Sequence, residues 1–223
     1  MSTNFQTNEF IAPSEHKKWL VAGVIALVLI MFCSGYVAVI GVALFSVQAM
    51  SFVSAAVASF LFALALVSSS VSYYTGWPNM RWGYQKQIGV LAFWIASFYC
   101  ATLVLLYPDL YGYGLADNLL TLDVILGSVA MIIFTSMVGI NSRLVAPYFS
   151  WDTIKFVLGL GFVGYALLVI RAIVLEWSLW ESWLRTFEGY PPGRLVLSAV
   201  ALVVLLLRIS IPIHIALTSG RKK

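Results

Sequence analysis

Charged residues are scarce in this sequence. Asp, Glu, Lys and Arg make up 10% of the 223 residues, whereas hydrophobic residues make up 61%. Because soluble domains carry about 25% charged residues, this composition excludes a soluble domain of ordinary size and predicts that most of the chain lies in lipid. The net charge of +4 is not a nucleic-acid signal, since the basic residues lie at the ends of apolar stretches rather than in one patch.

Histidine is scarcer still, and this limits the cofactors that the chain can hold. There are two histidines, and because His16 lies in a polar tail, they cannot bind a haem iron from both sides within a membrane. The HExxH motif, a pair of intramembrane aspartates and any cluster of histidine with carboxylates are absent from the sequence, so we expect no metal site. No lysine lies deep in an apolar stretch, which excludes a retinal Schiff base.

Other catalytic signatures are missing as well. The two cysteines, Cys33 and Cys100, lack CxxC spacing and are expected to be small core residues. The GxSxG motif of serine hydrolases is absent, although serines are plentiful. We therefore expect no catalytic residue and no cofactor.

Apolar residues fall into six stretches that are long enough to cross a bilayer as helices, which takes roughly 20 residues. Turn residues separate them, as at Gly76, Pro108 and Pro147. The sequence predicts an all-α membrane protein, a bundle of six transmembrane helices over 19–218, with a polar tail (1–18) and a basic tail (219–223). The predicted spans are 19–46, 50–74, 87–107, 119–140, 153–176 and 195–218.

Lysine and arginine are distributed unevenly between the two ends of these spans. The positive-inside rule therefore places both termini in the cytoplasm, as an even number of spans requires, in a bacterial inner membrane or its equivalent. The predicted outer end has Arg185 and Arg194. The predicted inner end collects Lys17, Lys18, Arg81, Lys86, Arg143, Lys155, Arg221, Lys222 and Lys223.

The segment from Glu176 to Tyr190, between spans five and six, has its own pattern. Aromatic and apolar side chains recur at steps of three and four residues, and Glu181 and Arg185 form a helix-supporting pair. The pattern predicts a short amphipathic helix in the outer membrane interface. The alternative is a plain interfacial linker.

Small residues mark two of the spans. Gly159, Gly161 and Gly164 spell GxGxxG, but no strand precedes them and no acidic residue follows at the distance that a dinucleotide site needs. They are therefore expected to be helix-packing residues. Alanine and serine give span two a similar character, which predicts that it packs among other helices or lines a cavity.

Asp123 and Arg171 are the first candidate site. Each lies about one turn inside the outer end of its span, so the rise of about 1.5 Å per residue places them at similar depth. Together they are predicted to form an intramembrane ion pair. In the alternative, each side chain extends separately to the outer head groups.

Arg208 is the second candidate, near the middle of the last span. A guanidinium at that depth costs at least a few kcal/mol unless a polar group or water meets it. Pro212 removes the backbone donor that would pair with the carbonyl of residue 208, and it disfavours a straight helix. We expect Arg208 to face protein or water. His214 shares its face only if Pro212 reshapes the turn, and is otherwise an interfacial residue.

These observations favour a non-enzymatic integral membrane subunit that acts as an anchor, sensor or scaffold. Its expected partners are the lipid bilayer and a membrane protein in a homo- or hetero-oligomer, with no nucleic acid. The competing hypothesis is a transporter or channel for a small solute, such as an anion, with Arg208 as its intramembrane binding charge. A continuous polar path through Arg208 and the serines of span two would favour transport.

Overall fold

The computed structural model describes residues 14–43, 46–75, 84–106, 121–142 and 144–219. Within these ranges the chain is all-helical, with no strand and with one short 3₁₀ turn at Ala146–Tyr148. The six α-helices are α1 (Glu15–Val39), α2 (Val47–Thr75), α3 (Gln85–Leu106), α4 (Leu122–Ile140), α5 (Trp151–Thr186) and α6 (Gly193–Ser219).

Five of these helices are long and apolar enough to cross a membrane: α1, α2, α3, α5 and α6. The remaining helix, α4, is apolar but shorter, with 19 residues. Length and composition therefore mark the chain as an integral membrane protein of the helical type.

Helix α2 lies at the centre of the bundle. It packs against α1, α3 and α6 and touches α5. Half of its membrane-spanning part is buried, compared with 17–28% in the other four long helices. Alanine and serine make up much of its sequence, and such small side chains let neighbouring helices approach closely. Helix α4 packs mainly on α5 and contacts α3 only sparsely.

Most serine hydroxyls of α2 are satisfied within the helix itself. They donate to carbonyls three or four residues earlier, a bond that serine makes readily in a helix. Ser70 Oγ, by contrast, is buried with no hydrogen-bond partner among the described residues. The self-bonded serines are Ser51, Ser54, Ser68, Ser69 and Ser72.

Helix α5 is longer than the sequence analysis predicts. Its 36 residues span about 54 Å at 1.5 Å per residue, well beyond the roughly 30 Å of hydrocarbon. The segment that was predicted as a separate interfacial helix instead continues α5 without a break as far as Thr186. The physical reason is that neither glycine nor proline occurs between Gly164 and Gly189, so nothing interrupts the backbone hydrogen bonds.

The connection from α5 to α6 is tightly held. Phe187 ends α5 in the left-handed conformation, and Pro191 and Pro192 follow. The hydroxyl of Tyr36, in α1, donates to the carbonyl of Pro191. A Cβ atom at Gly193 would lie 2.3 Å from Cζ of Phe52, so a larger residue at the start of α6 would displace the ring of Phe52. This connection therefore joins the ends of α1, α2, α5 and α6.

Candidate functional site

A cavity of about 490 Å³ lies among α2, α3, α4, α5 and α6, in the half of the bundle toward the predicted outer end. Its volume falls in the range of about 300–1,000 Å³ that is typical of small-molecule sites. Small side chains leave the space, because every one of the five helices presents at least one of them. Examples, one from each helix in chain order, are Ala58, Ala96, Gly127, Ala172 and Ala201.

The deep end of the cavity is apolar and internally satisfied. Tyr165 is 1% exposed, and its hydroxyl donates to the carbonyl of Ser59 at 3.0 Å, with Ser59 Oγ 3.3 Å away. The rings of Phe62 and Phe134 stack beside it with centroids 4.1 Å apart. Because the hydroxyl of Tyr165 already has its partners, this end of the cavity favours hydrocarbon over a polar group.

The other end of the cavity is cationic. Arg171 and Arg194 are the charged residues among its described lining. The guanidinium of Arg171 lies along α4, where its Nε would be 3.5 Å from a Cβ atom added at Gly127. The absence of a side chain at Gly127 therefore gives Arg171 room at the helix surface.

Arg194 is held by a small polar network that the sequence analysis did not predict. Its Nη1 lies 3.0 Å from Oε1 of Glu176, and the indole of Trp180 donates to Oε2 of the same carboxylate at 3.2 Å. Arg194 occupies the first turn of α6, where the helix dipole disfavours a cation. The carboxylate of Glu176 offsets that cost. The only signal in the sequence was that both residues lie at the predicted outer end of neighbouring spans.

The predicted partner of Arg171 is Asp123, of which the structure describes the backbone alone. Asp123 is the second residue of α4, but its side chain lies outside the described residues, so the ion pair stays a prediction. The contact of Arg171 with Gly127 brings the guanidinium to the early turns of α4. Gly127 is four residues after Asp123, which is about one turn, so Arg171 is at the height that the predicted pair requires.

Arg208 and His214 lie away from the cavity and contact different helices. Arg208 is exposed on the bundle surface, and its Cζ lies 4.9 Å from the centroid of the Phe162 ring on α5, within the range of a cation–π interaction. His214 is exposed beside the rings of Tyr73 and Tyr74 on α2, at 6.2 and 6.0 Å. Helix α6 continues through Pro212 between them.

The three glycines of the GxGxxG motif have unlike surroundings. A Cβ at Gly161 would lie 2.6 Å from Cε of Met137, and one at Gly164 would lie 3.2–3.3 Å from Ile133 and the ring of Phe134. Gly161 and Gly164 therefore lie where α5 packs closely on α4. At Gly159 an added Cβ would have no atom within 4 Å.

In the ranges that the structure covers, no group of three or more His, Cys, Asp or Glu residues could hold a metal ion. No protein-family model matches the chain, and no curated protein matches it. The cavity with its two arginines, and the exposed Arg208, are therefore the features from which a function is argued.

Proposed function

We propose that this chain is a non-enzymatic membrane subunit that acts as an anchor, sensor or scaffold within a homo- or hetero-oligomer. In this proposal six helices cross the bilayer and both termini lie in the cytoplasm. The observation that carries the proposal is the position of Arg208. Arg208 lies near the middle of its helix, and its side chain is exposed on the surface of the bundle.

The depth of Arg208 follows from its place in α6. It lies 15 residues after the helix begins at Gly193 and 11 before the helix ends at Ser219, which puts it about 22 and 16 Å from the two ends. A guanidinium that faces lipid at such a depth costs at least a few kcal/mol. The ring of Phe162 offsets only about 0.5–2 kcal/mol of this. Offsetting the remaining cost requires hydrogen-bond acceptors for the guanidinium, and another chain can supply them.

The surface of α6 leaves room for such a partner. Large apolar side chains on a face about 120° around the helix from Arg208 are more than half exposed, where another transmembrane helix can pack. A carboxylate or a backbone carbonyl of that helix would accept from the guanidinium. Transport that uses Arg208 as a binding charge has less support, because Arg208 does not line the cavity. The exposed apolar residues are Leu202, Leu206, Ile209 and Ile213.

The mass of the purified complex in mild detergent tests this role. We expect Arg208→Met to give a folded chain that has lost its partner or its oligomer, because methionine keeps the apolar contacts and removes the charge. Arg185→Met is the matched control, since Arg185 is an exposed arginine whose partner, Glu181, is in the same helix. A complex of unchanged mass in Arg208→Met would refute the assembly role.

The proposed topology has a separate basis and a separate test. Helix α4 has 19 residues, about 28 Å of helix, which is close to the hydrocarbon thickness of roughly 30 Å. With α4 as the sixth span, the excess of lysine and arginine at one end places both termini inside. Cysteines at positions 2 and 219, with Cys33 and Cys100 replaced, should resist an impermeant thiol reagent in intact cells. Labelling of either position from outside would contradict this topology.

A further inference from the structure

The cavity among α2 to α6 has the two-part character of an amphiphile site. From the charged end to Tyr165 its walls pass from arginine to aromatic and aliphatic side chains. We propose that it binds a single-chain amphiphile whose anionic head group meets Arg171 and Arg194 and whose hydrocarbon tail fills the apolar end. Carboxylates and phosphate monoesters both supply an anionic head group that arginine binds. The ligand is therefore either a free fatty acid or a single-chain lipid with a phosphate monoester head group.

The size and lining of the apolar end support a hydrocarbon chain. The lining runs along α4 from Val124 to Phe134, which is about 15 Å of helix. Tyr165 and Ser59 satisfy each other at the far end, so a bound chain would leave both of these hydroxyls with partners. A hydrated ion would instead lose its water against these walls, at a high cost in free energy.

The charged end supports an anionic head group. A guanidinium has five N–H donors in a planar fork that matches carboxylate and phosphate oxygens. The described contacts of Arg194 use one of its nitrogens, Nη1, toward Glu176, and its side chain is 41% exposed. Donors of Arg194 are therefore accessible beside the existing ion pair. Trp180 donates to the second oxygen of Glu176, so both oxygens of that carboxylate already have partners within the chain.

The cavity also reaches the surface of the bundle. Ser128 on α4 and Leu175 on α5 line it and are themselves exposed. The helices that flank the cavity on the other side, α3 and α4, contact each other sparsely. A chain can therefore enter from the bilayer while its head group stays near the predicted outer surface of the membrane, since Arg171 lies about one turn inside the outer end of its predicted span.

Equilibrium binding to the full chain in phosphatidylcholine nanodiscs tests the proposal. Three radiolabelled probes share one tail: dodecanoate, dodecyl phosphate and dodecanol, each corrected for uptake by empty nanodiscs. We expect saturable binding of dodecanoate or dodecyl phosphate at least about 10-fold tighter than that of dodecanol, the size of one charge-assisted hydrogen bond. The tighter anion identifies the carboxylate or the phosphate source. Equal binding of dodecanol, or no saturable binding of any probe, overturns the proposal.

Substitutions locate the site and separate its two parts. Ala172→Phe fills the cavity and should weaken the binding of both anions at least about 10-fold, and Ser198→Leu should do the same from α6. Ala166→Phe, on α5 but outside the lining, is the matched control and should bind as the unchanged chain does. Arg194→Gln should weaken dodecanoate at least about 10-fold and leave dodecanol unchanged, whereas Arg185→Gln should change neither. Full anion binding in both filled variants would overturn the proposal.

Discussion

Helices α5 and α6 form a layer with two unlike sides. On the side that faces the bundle, α4 packs against Gly161 and Gly164. On the same side, Glu176 forms an ion pair with Arg194. On the outer side, Gly159 faces open space and Arg208 lies exposed over the ring of Phe162. The inner side packs α4 on α5 and holds Arg194 around a cavity within the chain, whereas the outer side leaves Arg208 exposed on the surface. This difference is why we assign ligand binding to the inner side and assembly to the outer one.

The largest expected effect concerns Arg171, on the inner side. If Asp123 is its partner, Asp123→Asn and Arg171→Gln should each lower the free energy of unfolding by about 3–5 kcal/mol, because each leaves an uncompensated charge. The double substitution should cost less than the sum of the two. Unfolding titrations in mixed micelles would measure these values. Strictly additive losses would show that Asp123 and Arg171 do not form an ion pair.

A smaller effect is expected where α5 meets α4. Gly164→Val should lower the free energy of unfolding by about 1–3 kcal/mol, the usual cost of overpacking. The reason is that the added atoms meet the ring of Phe134, which is 1% exposed and stacked on Phe62. Gly159→Val, about one and a half turns away on α5, is the matched control, because an added Cβ there has no atom within 4 Å. An equal loss at both positions, in the same unfolding assay, would contradict the contrast between the two sides.

The smallest effect is expected at the ion pair of Arg194. Glu176→Gln keeps a hydrogen-bond acceptor for Trp180 but removes the charge, and it should cost about 1 kcal/mol, since the pair is partly exposed. The loss should shrink as salt is added. Glu181→Gln, which breaks the more exposed pair with Arg185, should cost about half as much. A cost for Glu176→Gln no larger than for Glu181→Gln would mean that the network does not stabilise the inner side.

Much of the fold follows from the sequence, because apolar runs and turn residues act locally. The predicted span 50–74 corresponds to α2, and 195–218 to α6. The predicted break after 176 failed because a change in amphipathic pattern does not end a helix; α5 continues until Phe187 takes the left-handed conformation before the prolines. A boundary of this kind depends on backbone hydrogen bonds rather than on composition.

The candidate site follows from the sequence only in part. The small residues of α2 indicated close packing or a cavity, but the cavity itself depends on how Ala58, Ala96 and Ala201 face one another across three helices. Likewise, Glu176 and Arg194 are 18 residues apart in the chain, and only the turn between α5 and α6 brings them together. The depth of Arg208 was predictable from its place in the span, whereas its neighbour, Phe162, was not.

The self-bonded serines of α2 have a consequence for biogenesis. Helix α2 is synthesised before α3, α5 and α6, which are most of its final neighbours among the described helices. During that interval its hydroxyls would face lipid, where an unsatisfied polar group costs several kcal/mol. Most of them already donate to carbonyls of their own helix, so these hydroxyls need no partner from the later helices.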